Sequence, residues 1–102
     1  MKIHRVEIDL SARLDIADLY SFLISVKSQS GANKYIDAMV AELQSLSVFA
    51  DLYQTSRMAD IKRYHPHARS MASHNKRWTY IFHVEEDTVV VDRIRPSKLV
   101  KS

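Results

Sequence analysis

The hydrophobic positions follow first the period of a strand and then the period of two helices. The opening stretch MKIHRVEIDL alternates imperfectly and predicts a strand over residues 3–10. Ser11 then fits a helix N-cap, and a helical stripe ends at Lys27: Ile16, Leu19, Tyr20, Leu23 and Val26. The stretch SQSGAN interrupts it, and a second stripe fades before Arg57: Ile36, Met39, Val40, Leu43 and Leu46. The short connection predicts an antiparallel helical hairpin.

The last third of the chain has the pattern of β-strands. A loop-like region over Ile61–His67, which has room for one helical turn, precedes a weakly patterned strand over Ala68–His74. Two stronger strands follow over Arg77–Glu85 and Thr88–Arg95, joined by the acidic turn Glu86-Asp87. The order of elements predicts an α+β domain: an N-terminal strand, a helical hairpin, and then a three-stranded antiparallel sheet covered by that hairpin.

A two-residue turn determines which side chains of this β-hairpin face the helices. The predicted inner face carries Trp78, Tyr80, Phe82, Val84, Val89 and Val91. The same register places Arg93 opposite Tyr80 and predicts a cation–π contact there. It likewise places Arg95 opposite Trp78. The predicted outer face is more mixed and carries Thr79, Ile81, His83, Val90, Asp92 and Ile94.

The composition is that of one globular domain spanning residues 1–102. The chain is 46% hydrophobic and 26% charged, which excludes an intrinsically disordered protein. It contains no cysteine, which excludes disulfides and thiolate metal sites. The charged start is unlike a secretion signal, and no apolar run reaches the roughly 20 residues of a membrane span. We therefore expect a cytoplasmic protein without a membrane partner.

Positive charge is concentrated towards the C-terminus. Residues 1–60 carry six lysines and arginines against eight acidic residues, whereas residues 61–102 carry nine against four. The basic set comprises Arg69, Lys76, Arg77, Arg93, Arg95, Lys98 and Lys101. Two interpretations stay open: a surface for a polyanion or an acidic protein, and a solvated sheet edge that discourages aggregation.

Histidine is the residue type that most invites a catalytic interpretation. His65, His67 and His83 are weak candidates for acid–base catalysis, because imidazole titrates near neutral pH. The alternative is that they are loop and sheet-surface residues. The spacing His-Pro-His is a weak signal for a metal site, which needs converging ligands with supporting hydrogen bonds. We predict neither a metal nor a cofactor.

Several stretches together resemble a known family. They are DIADLYSFL (Asp15–Leu23), HARSM (His67–Met71) and KRWTYIFHVEEDTVVVDRIR (Lys76–Arg95). In this order and spacing they resemble the RelE/ParE superfamily of bacterial toxin–antitoxin systems, also known as plasmid stabilization proteins. The resemblance implies a toxin that inhibits growth. It also implies a cognate antitoxin that neutralises the toxin in a hetero-oligomer.

The resemblance covers two branches with different targets. RelE-like members cut mRNA in the ribosome, whereas ParE-like members bind DNA gyrase without catalysis of their own. The nuclease pattern has an arginine where Thr79 stands, and a tyrosine or histidine in the tail, which here reads RPSKLVKS. The resemblance therefore favours a ParE-like gyrase inhibitor. A ribosome-dependent endoribonuclease and a non-toxic relative that keeps only antitoxin binding stay open as alternatives, so whether the protein is an enzyme also stays open.

Candidate contact residues follow from charge, exposure and the resemblance. For the target or nucleic acid we predict Arg69, Lys76, Arg77, Arg95 and Lys98, with Arg69 matching the family's small-x-Arg-Ser strand. For the antitoxin we predict a groove formed by Phe49, Leu52 and Tyr53. We interpret Arg93 as structural, and Trp78 and Tyr80 as core residues rather than base-stacking ones.

Overall fold

The computed structural model describes residues 3–100 of the chain. Its elements are β1 (Arg5–Ile8), α1 (Leu10–Val26), α2 (Gln29–Gln44), α3 (Leu46–Phe49), a 3-10 turn (Ala50–Leu52), α4 (Ala59–Lys62), β2 (Arg69–Ala72), β3 (Trp78–Glu85), β4 (Thr88–Pro96) and a second 3-10 turn (Ser97–Leu99). The predicted α+β class, with its helical hairpin ahead of three strands, is confirmed. None of the helices in residues 3–100 has the length and apolar character needed to cross a bilayer.

The first helix begins earlier than predicted. Asp9 is its N-cap, with a carboxylate oxygen 3.3 Å from the backbone nitrogen of Ser11, so the prediction of Ser11 as the cap is wrong. The strand before it ends at Ile8 for the same reason. Aspartate caps a helix about as well as serine and adds a negative charge near the positive end of the helix dipole.

The connection between the two long helices is shorter than the sequence suggests. Only Lys27 and Ser28 separate α1 from α2, and the Ser28 side chain caps α2 by accepting from the Gly31 nitrogen at 3.0 Å. The predicted break is present but ends at Ser28, and the rest of SQSGAN lies in α2, because polar residues and a glycine are tolerated in a capped first turn. Near this end of the hairpin, the Tyr20 hydroxyl donates to Asn33 Oδ1 at 2.7 Å.

The sheet has four strands in the order β1-β4-β3-β2. Strand β3 is antiparallel to both β2 and β4, as predicted. The first strand joins the sheet at one edge and runs parallel to β4, with Ile8 opposite Val91. This parallel edge strand is a feature that the sequence analysis did not place.

The main core lies between the sheet and the two long helices. Its buried residues are Ala12, Leu19, Leu23, Ala32, Met39, Leu43, Leu46, Ala50, Tyr80, Phe82, Val89, Val91 and Ile94. Trp78 and Val84 pack at its border, so the predicted inner face of the β-hairpin is confirmed. A smaller cluster on Ile81 is closed by Ile61 and Ala68, with Ile61 supplied by the short helix α4.

A β-bulge changes the predicted register in the second half of the β-hairpin. Phe82 lies opposite Val91 as predicted, but Ile81 then pairs with Arg93, so that Asp92 is an extra residue in β4. Tyr80 consequently faces Ile94. The predicted pairs Tyr80–Arg93 and Trp78–Arg95 are therefore wrong, as is the placement of Ile94 on the outer face. Ile94 is 4% exposed and belongs to the core.

Candidate functional site

Arg93 is bound into the fold by an aspartate of the first helix. Its Nε and Nη2 atoms donate to the two carboxylate oxygens of Asp15 at 2.8 and 3.0 Å, and the Ile94 nitrogen donates to Asp15 at 2.9 Å. The hydrogen bond to Asp15 raises the pKa of the Arg93 guanidinium. The guanidinium carbon lies 5.7 Å from the ring centre of Tyr64, rather than over Tyr80. Arg93 thus joins α1 to the bulged part of β4.

Arg69, a predicted target contact, also has partners within the protein. Its Nη1 atom donates to the Ala50 carbonyl at 3.0 Å and lies 3.5 Å from a carboxylate oxygen of Asp51. The other oxygen of Asp51 lies 2.9 Å from Nε2 of the buried His4. Hydrogen bonding to His4, assisted by Arg69, lowers the pKa of Asp51. These contacts join β2 and His4 to the first 3-10 turn, Ala50–Leu52.

The other four predicted target contacts differ from Arg69 and Arg93. Within residues 3–100, none of them has an ion-pair partner: Lys76, Arg77, Arg95 and Lys98. Three of these cations line one pocket of about 490 Å³, which we call the Trp78 pocket: Lys76, Arg77, Trp78, Pro96, Ser97 and Lys98. Arg95 lines an adjoining pocket that shares Trp78 and Pro96. The structure therefore brings four of the five predicted cations around one tryptophan. Lys101 lies outside the described residues.

Hydrogen bonds hold Trp78 in place. Its indole nitrogen donates to the Tyr35 hydroxyl at 2.8 Å, and the Asn75 side-chain nitrogen donates to the same hydroxyl at 3.0 Å. Pro96 lies opposite Trp78 in the sheet. Trp78 is only partly buried, whereas Tyr80 is fully buried and donates to Glu42 at 3.1 Å. Burial raises the pKa of Tyr80 above its usual range. Only Trp78 of this pair is positioned to meet a ligand.

A cluster of histidines and carboxylates lies on the other face of the sheet. His83 is 5% exposed, with Nδ1 2.7 Å from an Asp92 oxygen and Nε2 3.0 Å from a Glu85 oxygen. Burial raises the pKa of Asp92, against the opposing effect of its bond to His83. The His65 ring stacks on His83 at 3.7 Å with an angle of 2° between the planes, and His65 Nδ1 accepts from the His67 nitrogen at 3.0 Å.

This geometry leaves His83 without a free ring nitrogen for acid–base catalysis. General acid and base must each reach the reacting group. Both nitrogens of His83 already face carboxylates, and its stacked position against His65 leaves no room for a phosphate between the rings. The His67 side chain is exposed, with its ring centre 5.9 Å from that of His65.

The same geometry does not suit a metal ion, although His65, His83 and Glu85 place ligand atoms within 4.8 Å of one another. The lone pair of an imidazole nitrogen lies in the plane of its ring. Two parallel rings 3.7 Å apart therefore cannot both direct a lone pair at one ion at the usual bond length of about 2 Å. In addition, His65 Nδ1 is already engaged as an acceptor.

Thr79 supplies no cation at the position where the resemblance expects one in a nuclease. Its hydroxyl oxygen lies 2.9 Å from the hydroxyl oxygen of Ser97, and its backbone pairs with Arg95. Hydroxyl groups do not neutralise the charge that develops on a phosphate during cleavage, which is the role of a cation.

Helix α1 carries apolar residues on the side that faces away from the core. Residues spaced three and four apart form one exposed stripe, the α1 stripe: Leu10, Leu14, Ala17, Ser21 and Ile24. The buried residues Ala12, Leu19 and Leu23 lie on the opposite side. The stripe lies outside the helical pattern of Ile16, Leu19, Tyr20, Leu23 and Val26, and the sequence signal for it is the spacing of Leu10, Leu14 and Ile24.

The predicted antitoxin residues divide between surface and core. Leu52 is 76% exposed and Phe49 is 46% exposed. Tyr53 is partly buried and packs edge-on against Phe82, with ring centres 6.0 Å apart. The structure therefore places two of the three residues at the surface.

Comparison with known proteins identifies the fold. A solved structure of the chromosomal ParDE TA (toxin–antitoxin) system from P. aeruginosa superposes with a TM-score of 0.75 at 14% sequence identity. The match covers 92% of this chain and 96% of that chain. No family model and no curated protein matches the sequence. The chain therefore has a RelE/ParE-like fold.

Proposed function

We propose that this protein is the toxin of a bacterial toxin–antitoxin system and that it inhibits growth by binding DNA gyrase. The observation that carries the proposal is the fold, which matches a chain of the ParDE TA system over nearly its whole length. A fold by itself does not determine a function, so the local chemistry must be consistent with it.

The local chemistry favours binding over RNA cleavage. The cation expected at position 79 of a nuclease is replaced by a threonine, which is hydrogen-bonded to Ser97. The buried histidine of the sheet is held between Asp92 and Glu85. In contrast, the cations around Trp78 have no ion-pair partner among residues 3–100, and they form a surface suited to electrostatic recognition.

We assign the target to the Trp78 pocket and the antitoxin to the α1 stripe. A helix that is apolar on both sides is stable when both sides are covered, and the core covers only one side of α1. Amphipathic helices bind such surfaces through residues spaced three and four apart. In a toxin–antitoxin pair, an amphipathic helix of the antitoxin would cover the α1 stripe.

A supercoiling assay with purified protein and gyrase tests the proposed target. We expect inhibition together with accumulation of cleaved DNA, and we expect the double variant Arg77→Ala/Lys98→Ala to be at least tenfold weaker. Arg5→Ala is a matched control, because Arg5 pairs with Thr88 at the opposite end of β4 from Pro96.

Two results would contradict this function. Supercoiling that is unaffected by a large excess of protein would exclude gyrase as the target. Cleavage of translated mRNA at A-site codons on induction, detected by primer extension, would instead establish the endoribonuclease alternative.

A further inference from the structure

We propose that the Trp78 pocket binds single-stranded nucleic acid, with a base against the indole and phosphates on Lys76, Arg77 and Lys98. The proposal deepens the proposed function, because it names the chemistry that the target surface recognises.

The first argument is that the basic residues differ in whether they have an acidic partner within the protein. Arg69 and Arg93 are engaged with Asp51 and Asp15, whereas the cations of the pocket have no ion-pair partner within residues 3–100. No acidic residue of the described part of the chain lines the pocket. Unpaired cations that converge without a carboxylate are suited to phosphate, and releasing counterions on binding makes such contacts favourable.

The second argument is the aromatic side chain that lines the pocket. Trp78 is held by Tyr35 and lies opposite Pro96 in the sheet, so that two apolar rings line a pocket otherwise made of polar and charged groups. Any of the nucleic-acid bases can stack on an aromatic ring such as that of Trp78, with a gain of about 1–3 kcal/mol per base in binding free energy. A volume of about 490 Å³ is within the range of small-ligand sites.

The third argument is the backbone conformation of Lys76. Its φ angle is 65°, in the left-handed region that disfavours residues with a Cβ atom. The turn is closed by a hydrogen bond from the Lys76 nitrogen to the Ser73 carbonyl at 3.0 Å. Glycine would adopt this conformation without strain. A lysine at this position therefore places a cation beside the pocket at a cost to stability.

Binding can be measured directly, because Trp78 is the only tryptophan of the chain. We expect a short oligothymidylate to quench the fluorescence of Trp78. The logarithm of the binding constant should fall with the logarithm of the salt concentration with a slope of about −2, as for three phosphate contacts on a single strand. Duplex DNA of the same length should quench less, since its bases are already stacked. Poly-glutamate should not quench.

Variants separate the pocket from the rest of the surface. We expect Arg77→Ala and Lys98→Ala each to weaken binding about five- to tenfold, and Arg5→Ala to leave it unchanged. We expect Lys76→Gly to weaken binding while raising the melting temperature, a combination that loss of folding cannot produce. Glu86→Gly is its control, because Glu86 also has a positive φ, of 53°, but lies at the tip of the β-hairpin.

The outcomes are distinct from those of the gyrase assay. Absence of quenching, equal quenching by poly-glutamate, or unchanged affinity in the pocket variants would overturn the inference even if gyrase is inhibited. Quenching that depends on Arg77 and Lys98, in a protein that does not inhibit gyrase, would support the inference and remove the proposed function.

Discussion

At the scale of single residues, the side chains that organise this protein are those whose partners are distant in sequence. Asp15 on α1 binds both Arg93 and the backbone of Ile94, almost eighty positions later. The sequence predicts a structural role for Arg93, but with an aromatic partner rather than this carboxylate. Nothing in the sequence pairs one aspartate of α1 with one arginine of β4.

Replacing Asp15 with asparagine tests the importance of that carboxylate. We expect a loss of about 2 kcal/mol in unfolding free energy, because the change weakens a paired, charge-assisted contact that is largely shielded from water. Asp18→Asn, at an exposed position on the same helix, should change stability by less than about 0.5 kcal/mol. Urea denaturation measures both, and equal effects would contradict this role of Asp15.

The lowered pKa of Asp51 predicts that this residue makes the stability of the folded protein sensitive to acid. Since its pKa in the folded protein lies below the ordinary value of 3.8, the stability that it contributes is present above that value and is lost as the pH falls through the lower, folded pKa. We expect Asp51→Asn to flatten the stability profile at acidic pH, near and below 3.8. The control is Asp37→Asn on the exposed side of α2. An unchanged profile in Asp51→Asn would contradict the assignment.

At the scale of elements, the type and order of the helices and strands followed from the sequence, whereas the alignment of the β-hairpin did not. The register is as predicted from Glu85 back to Phe82, because a two-residue turn fixes it there. Beyond that point the extra residue Asp92 shifts β4 by one position. The alternation of apolar and polar residues cannot reveal such a bulge. The register beyond Asp92 depends on whether Ile94 or Arg93 packs against the helices.

The β-hairpin tip offers a stability test of its own. Glu86 adopts a positive φ, where its Cβ atom is unfavourable. We expect Glu86→Gly to stabilise the protein by about 0.5–1 kcal/mol, less than the full relief of strain because glycine gains freedom in the unfolded chain. Thermal denaturation of Glu86→Gly beside Glu86→Ala measures the effect, and a glycine variant less stable than the alanine variant would contradict it.

At the scale of the whole molecule, the protein presents two surfaces of different chemistry. The Trp78 end carries cations without an ion-pair partner in the described part of the chain, and α1 presents its apolar stripe to solvent. Four of the five predicted target cations were brought together by the fold, which a count of charges could not show. Arg69 is engaged instead with Ala50 and Asp51.

The two candidate antitoxin surfaces can be distinguished by matched substitutions. For the proposed toxin, we expect Leu14→Asp in the α1 stripe to abolish neutralisation by its cognate antitoxin while leaving toxicity intact. Leu52→Asp makes the same chemical change at the position predicted from sequence, and we expect it to have a smaller effect. Growth during co-expression measures both, and loss of neutralisation only in Leu52→Asp would reverse the assignment.

By itself, the sequence determined the class and order of the elements, the apolar face of the β-hairpin and the basic character of the C-terminal part. These depend on local periodicity and composition, which are properties of neighbouring residues. Only the tertiary structure decided the parallel pairing of β1, the bulge at Asp92, and which cations are paired and which surround Trp78. Each of these depends on contacts between residues far apart in the chain, where the competition between burial, hydrogen bonding and charge has no local signature.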